Sequence, residues 1–557
     1  MDRRATLATF LGKKTKATAV DKSAKMVSAP VNTGLDPYTG PWEFAQASHL
    51  LRRTMFGATY AQFKEAVEMG LDGVINQLFA DLPLPAPPLN YNYEEDPNVP
   101  IGETWIDAPY SLAVNLRGYR NRSLRAWTLL QMYEEGMSIR EKLTLFWHNH
   151  FAINNVNDPK FLYRYITLLR SNTWGNFRQL VKDITIDPTM LRFLNGNQNT
   201  RNAPNENYAR ELLELFTIGK GELAGPGDYT NYTEEDVIQI ARVLTGWRDR
   251  GFNTTNPEIE VGSFFRPFQH DTGEKQLSHR FDEVVISDLG DQEYAHLIDI
   301  IFQKEEVARF ICRKLYRWFV YYVIDDNAEV NVIEPMAQLL IESDYEIRPA
   351  LEALLRSEHF FDILNAGPMI KHPLDYAMSA MKQFEVDIPE GLTGRYNVLF
   401  RINRFVALME MDYFNLPTVA GWKAYYQEPG YYRSWVNATT LQNRMAFTER
   451  LTTNGYLLSG MRIIVDPLKF IETIDNPLNP EDVIEEFSKI LHPQPLTDSQ
   501  KLALKNVLIP GLPDYEWTVE YSDYIASPDN SDLADAIRAK LMGLVNVMIN
   551  MAEFHLS

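Results

Sequence analysis

Segment after segment of this chain places apolar residues at helical spacing and then stops on glycine, proline or a turn-forming cluster. That repetition restricts the fold to a mainly α architecture. "PWEFAQASHLLRRTMFGAT" sets Phe44, Leu51 and Met55 near one helical face before Gly57 stops it. "TYAQFKEAVEMGLDGVINQLF" reads as two short helices hinged near Gly70. Helices are expected over 113–135, 138–150, 159–171 and 174–184, with a capped start after Asp187. In "YTEEDVIQIARVLTGW", Thr233 and Asp236 form a capping-box-like pair. Residues 81–110 are rich in proline, asparagine and acids, and read as a long loop. Residues 250–290 offer loops and one small hairpin. Helices return over 292–362, 371–385, 394–412 and 437–460, then near 483–491, 498–507 and 533–554. No fixed-period repeat is visible. The expectation is a large multi-helical domain with long loops and little β: a disordered basic tail (1–40), a helical core (41–462) and a C-terminal helical subdomain packed on it (463–557).

Lys and Arg number 54 against 74 Asp and Glu, a net charge of −20. A general nucleic-acid binder needs the opposite balance, and anionic membranes are not bound by bulk charge of this sign. No run of about 18 apolar residues marks a transmembrane helix. Cys312 is the only cysteine, which excludes an internal disulfide; its helical setting reads as a buried, inert thiol. Arg3-Arg4 resembles a twin-arginine export start, but Lys13, Lys14 and Lys16 interrupt the apolar stretch that should follow. Cytosol and export both stay open.

Three polar groups carry candidate chemistry. Asn207, Glu211 and Glu214 stand four and three residues apart in "ENYARELLELF", hence on one helical face. Two carboxylates there could hold a cation or act as acid and base; the competing reading is a solvated face, or partners for Arg210 and Arg242. His148 and His150 lie in "LTLFWHNHFAINN". In a regular helix they sit about 200° apart and cannot meet at one ion; they converge only if the helix ends near Trp147. "FQHDTGEK" presents His270-Asp271 on a tight turn, with Lys275 and Arg280 nearby for an anion. No zinc-protease, P-loop, dinucleotide or serine-hydrolase motif is present.

"HLLRRTMFGAT", "EKLTLFWHNHFA", "NENYARELLELFTIG", "YTEEDVIQIARVLTGW", "HDTGEK", "MIKHPLDYAM", "LPTVAGWKAYYQEPGYYRSWVNATTLQNR" and "MAEFHLS" occur in that order. As an ordered set they resemble the DUF1800 family of bacterial proteins over about residues 42–557. The resemblance implies common export and frequent company with DUF1501 proteins, which resemble sulfatases and alkaline phosphatases. The matching polar positions here are His49, Arg52, Arg53, His148, His150, Asn205, Glu206, Asn207, Arg210, Glu211, Glu214, Arg242, His270, Asp271 and Lys275. The chain departs from the pattern in its weak signal region and in "LPTVAGWKAYYQ", which lacks a second proline and glycines after the tryptophan.

Two functional expectations follow. In the first, a metal-assisted hydrolase, His148, His150, His270 and Asp271 bind a divalent ion of unspecified identity that activates water. Glu211, Glu214, Asn207 and Arg210 then supply the catalytic groups. In the second, the chain is a non-enzymatic binding or assembly protein for a DUF1501-like partner or a polysaccharide, using Tyr425, Tyr426, Tyr431, Tyr432 and Trp435. Core packing is the alternative for those aromatics. Nothing in the sequence fixes the oligomeric state.

Overall fold

The computed structural model describes residues 33–557. The expected tail, with its Arg3-Arg4 pair, lies outside the described residues up to residue 32. From Thr33 onward the chain is already paired: Tyr38 donates its backbone N–H to Arg356 O at 2.8 Å.

Helices dominate, and the only sheets among the described residues are four two-stranded antiparallel hairpins. Helix α1 (Phe44–Thr54) starts on a Glu43–Gln46 capping box and is buried from Ala47 to its end. The next helix (Tyr60–Leu78) breaks helical geometry at Gly70, where φ is 72°; the hinge needs a residue without a Cβ. Helix α2 (Arg140–His150) is buried from Glu141 to His150. Helix α3 (Glu206–Glu211) passes into a wider π-helical turn, Leu212–Thr217. Helix α4 (Glu234–Val243) begins on the Thr233–Asp236 capping box that its sequence predicts.

Between 247 and 286 the structure has two hairpins where the sequence predicts one. β1 (Trp247–Arg250) pairs with β2 (Gly262–Phe265), and β3 (Lys275–Gln276) with β4 (Val285–Ile286). Strands of two to four residues are too short to show alternation. Helices α5 (Glu293–Ile301) and α6 (Glu305–Phe319) follow, then α7 (Pro373–Lys382), α8 (Ala438–Leu451) and α9 (Pro480–Leu491). The C-terminal helices include Asp514–Ala526, absent from the sequence reading.

One continuous apolar core runs from Ala47 to Phe554. Fully buried side chains such as Leu50, Leu51 and Phe63 each contribute about 1.5–3 kcal/mol. The last residues return to the middle of the chain: Lys371 N–H donates to His555 O at 2.8 Å and Ser557 N–H to Met369 O at 2.9 Å. Cys312 is fully buried and its thiol is pushed up by burial. No helix among the described residues is long and apolar enough to cross a membrane.

Candidate functional site

Helix α2 stays regular to its end, where Phe151 N–H donates to Trp147 O at 2.8 Å. His148 and His150 therefore diverge. His148 Nε2 accepts Phe414 N–H at 3.1 Å, which leaves the proton on Nδ1 to donate to Tyr165 Oη at 3.1 Å. Tyr165 passes its own hydroxyl to Phe151 O at 2.7 Å, and Tyr413 stacks on the imidazole at 4.5 Å. His150 donates Nε2–H to Phe216 O at 3.0 Å and accepts from Lys314 Nζ at 3.1 Å through Nδ1. Burial, then Arg125, lowers His148 to about 3; burial, then Lys314, lowers His150 well below the usual range. Both rings are neutral and have both nitrogens engaged by the protein. The arrangement in which His148 and His150 bind one ion is not formed.

His150 and Lys314 instead finish the π turn. That turn leaves the Leu215 and Phe216 carbonyls without helical donors, as helix ends do. Lys314 takes the first at 2.8 Å and His150 the second. Burial, then Arg317, pushes Lys314 down to about 7.

Glu211 and Glu214 straddle the α3–π junction. Glu214 accepts from Tyr232 Oη at 3.1 Å and lies 3.7 Å from Lys220 Nζ. Glu211 makes no side-chain hydrogen bond among the described residues. Burial, then Glu214, raises it to about 7 against the pull of Arg210. Arg210 is held by Glu234 through two hydrogen bonds of 2.9 and 2.7 Å, and Asn207 is exposed. Of these four, Glu211 feels both Glu214 and Arg210, while Asn207 stands apart.

His270 and Asp271 face different ways, as adjacent residues in extended backbone do. Asp271 is chelated by Arg242 at 2.8 and 3.2 Å. Burial raises its pKa, but Arg242 and the Gly273 N–H outweigh that and hold it below the usual range. His270 turns inward to Glu293 Oε2 at 3.1 Å, beside Asp288 Oδ1 at 3.7 Å. Lys275 is fully buried against Glu293 Oε1 at 2.6 Å. No hydrogen bond or ion pair among the described residues links His148, His150, His270 and Glu211. The aromatic stretch is mostly core: Tyr431, Tyr432 and Trp435 are buried, and Tyr426 alone of the five is exposed.

A different cluster forms where the quoted motifs meet. Arg52 and Arg53 from α1, Lys142 from α2, Lys371, and Arg444 from α8 are all buried. Among the described residues Asp375, at the start of α7, is the one side-chain carboxylate that pairs with any of them, through Lys142. Arg52 uses Nη2 on the last carbonyls of α9, Lys489 O at 2.6 Å and Ile490 O at 3.1 Å, where the helix dipole favours a cation. Arg53 Nη2 takes Asn365 O at 2.7 Å and Arg444 Nη2 takes Lys371 O at 2.8 Å. Nε and Nη1 of all three arginines, Trp318 Nε1 and Tyr432 Oη have no protein partner among the described residues. Arg52, Arg53, Trp318 and Tyr432 line one small void with Lys142, His372, Asp375 and Tyr425, and Met369, Ile370 and Ser557 complete its wall; its volume is about 20 Å³.

His372 is neutral there: Nδ1 accepts Asp375 N–H at 3.2 Å, Nε2 faces Asp375 Oδ2 at 3.0 Å, and burial lowers it to about 3. Burial lowers Arg52 to about 9, and Arg53 and Arg444 to about 10. All three guanidiniums therefore stay charged at neutral pH. The sequence reading named Arg52 and Arg53 and quoted the segments holding Lys371, His372, Asp375 and Arg444, but assigned them no common site.

Together these features define a mainly helical protein with a buried, donor-rich, cationic chamber. The profile of a family described as "Protein of unknown function (DUF1800)" matches residues 49–556. The chain belongs to that family. No curated protein and no solved structure matches it.

Proposed function

We propose that this chain binds a ligand ending in an oxyanion and holds that end in the Arg52–Arg53 chamber. The observation that carries the reading is the imbalance at the void: unpartnered buried donors converge on it, and its wall holds three cationic side chains, Arg52, Arg53 and Lys142, against one side-chain carboxylate, Asp375, with Ser557 also on the wall. Water can serve a buried donor, but it does not offset the charge. An uncompensated buried ion costs several kcal/mol, and arginine does not escape by deprotonating. A bound oxyanion accepts from Arg52, Arg53, Trp318 and Tyr432 at once, through charge-assisted bonds. A void of about 20 Å³ has room for little more than one water-sized group. The reading therefore seats one or two ligand oxygens, with the rest of the ligand toward half-buried Tyr425. Isothermal titration of the full chain with phosphate, sulfate and a dicarboxylate tests it. Saturable heats that vanish in R53M support it; heats absent or unchanged in R53M refute it.

This reading also gives a DUF1501-like partner a role. The resemblance of such proteins to sulfatases and alkaline phosphatases points to the same ligand class, sulfate- and phosphate-bearing compounds.

A second reading, acid–base hydrolysis, has its own support in Glu211. A partnerless carboxyl near pH 7 beside a second carboxylate is poised for proton transfer at neutral pH. Glu211 would be the general base and Glu214 the group that tunes it. Carboxyl titration of Glu211 in wild type and E214Q tests that reading.

A further inference from the structure

We propose that His270, Asp288 and Glu293 form a binding site for one divalent transition-metal ion, zinc by ligand type, independent of the cationic chamber. The three residues come from two places. His270 follows the short turn Pro267–Gln269, and Asp288 and Glu293 flank the entry to α5. One ligand atom from each lies within 4.8 Å of the others.

The imidazole decides the chemistry. His270 Nδ1 donates to Thr245 O at 2.9 Å, so its proton is on that nitrogen. Nε2 then points a lone pair at Glu293 Oε2, 3.1 Å away. Two lone pairs at that distance repel unless something positive sits between them. The candidates are a second proton or a metal ion. Bonds of about 2.0–2.1 Å to one ion place adjacent ligand atoms about 2.9–3.4 Å apart for right-angle to tetrahedral geometry. The His270–Glu293 separation falls in that range, and Asp288 Oδ1, at 3.7 Å from Nε2, is slightly outside it on an exposed side chain whose Oδ1 also accepts Gly290 N–H at 3.0 Å.

The surroundings are those of a metal site. The carbonyl on Nδ1 fixes tautomer and ring orientation, the usual support of a ligating histidine. Lys275 occupies Glu293 Oε1 at 2.6 Å and also donates to Asp271 O. It thereby orients the carboxylate, and Oε2, which also accepts Leu289 N–H at 3.3 Å, keeps a second lone pair for the ion. Phe265 packs on the imidazole at 5.2 Å and covers one side, while exposed Asp288 provides the way in. Three protein ligands leave the fourth zinc position for water or substrate, the pattern of catalytic sites. Among the sequence-predicted ligands, His270 is retained; Asp271, His148 and His150 are replaced by Asp288 and Glu293.

The test uses the full chain stripped with chelator and titrated with zinc. One equivalent is expected in wild type, at least tenfold weaker binding in D288A, and unchanged binding in R53M. Asp288 is exposed, so D288A is expected to fold; H270Q, with its fold checked by circular dichroism, is expected to lose the site. Imidazole ¹⁵N spectra of the zinc-bound protein should show His270 Nε2 metallated and Nδ1 protonated. The absence of a stoichiometric equivalent, D288A binding as tightly as wild type, or a protonated Nε2 at zinc saturation overturns the proposal. None of these outcomes bears on the chamber, which R53M and anion titration test separately.

Discussion

Lys142 and Asp375, 233 residues apart in the chain, form the one lysine- or arginine-to-carboxylate pair of the cationic chamber among the described residues. The rest of its wall combines Arg52 and Arg53 with neutral His372, aromatic donors, Met369, Ile370 and Ser557. Removing the one carboxylate should therefore be severe. D375N should lower folding stability by about 3–5 kcal/mol, the usual effect of stranding a buried charge. Urea denaturation measures it, and added phosphate should recover part of the loss. A cost below about 1 kcal/mol would mean that the chamber is far more hydrated than its burial implies.

Removing a surplus cation should act in the opposite direction. R53M deletes a buried guanidinium with no carboxylate partner, and should stabilise the anion-free protein by about 1–4 kcal/mol, less the cost of depriving Asn365 O of its donor. Denaturation in phosphate-free buffer measures this. A destabilised R53M would show that Arg53 is structurally required without any ligand.

Buried neutral histidines set the acid limit. His148, His372, His49 and His555 are lowered to about 3, and His492 to about 4, each by burial first. The unfolded chain takes up these protons near pH 6.5 while the native state does not. Stability present above pH 6.5 is thus lost as pH falls toward 3–4. H148F should make the pH dependence of stability shallower by about one proton over that window. His270 has the opposite sign: burial disfavours its charged form, but Glu293 and Thr245 O outweigh that and raise it. Its contribution in the metal-free protein is full below pH 6.5 and is lost as pH rises through its folded pKa. A pH series of urea midpoints for H148F and wild type that run parallel would contradict the assignment.

Glu211 should titrate near pH 7 by ¹³C carboxyl NMR, and E214Q should bring it down toward ordinary glutamate values, because Glu214 is the second cause of the rise. The folded pKa exceeds the unfolded one, so the contribution of Glu211 is full below about 4.5 and is lost as pH rises through about 7. E211Q should accordingly gain stability at pH 8 relative to wild type and show no such gain at pH 3.5.

The helical architecture was legible because it rests on local signals. The Thr233–Asp236 box, the Gly70 hinge and the helix ending at His150 all appear where capping and periodicity place them. The chamber was not legible, because it depends on contacts across most of the chain. Arg52 finds Lys489 O across 437 positions and Arg444 meets Lys371 across 73. Spacing within "HLLRRTMFG" reports only that two arginines neighbour each other, and arginines are normally on the surface. The pairing of His270 with Glu293 was hidden by adjacency: Asp271 is next in sequence, but its carboxylate belongs to Arg242. For His148 and His150, the sequence stated the geometric condition, and the regular helix answers it.

The most direct measurement of the central claim is the melting temperature of the full chain against phosphate concentration, at constant ionic strength, for wild type and R53M. A ligand that binds only the folded state stabilises it by RT ln(1 + [L]/Kd). Wild type should follow that saturable curve, with sulfate competing and chloride without effect, while R53M stays flat. Equal, non-saturating shifts in both proteins would mean that phosphate acts as a general salt, and would contradict an oxyanion site at Arg52–Arg53.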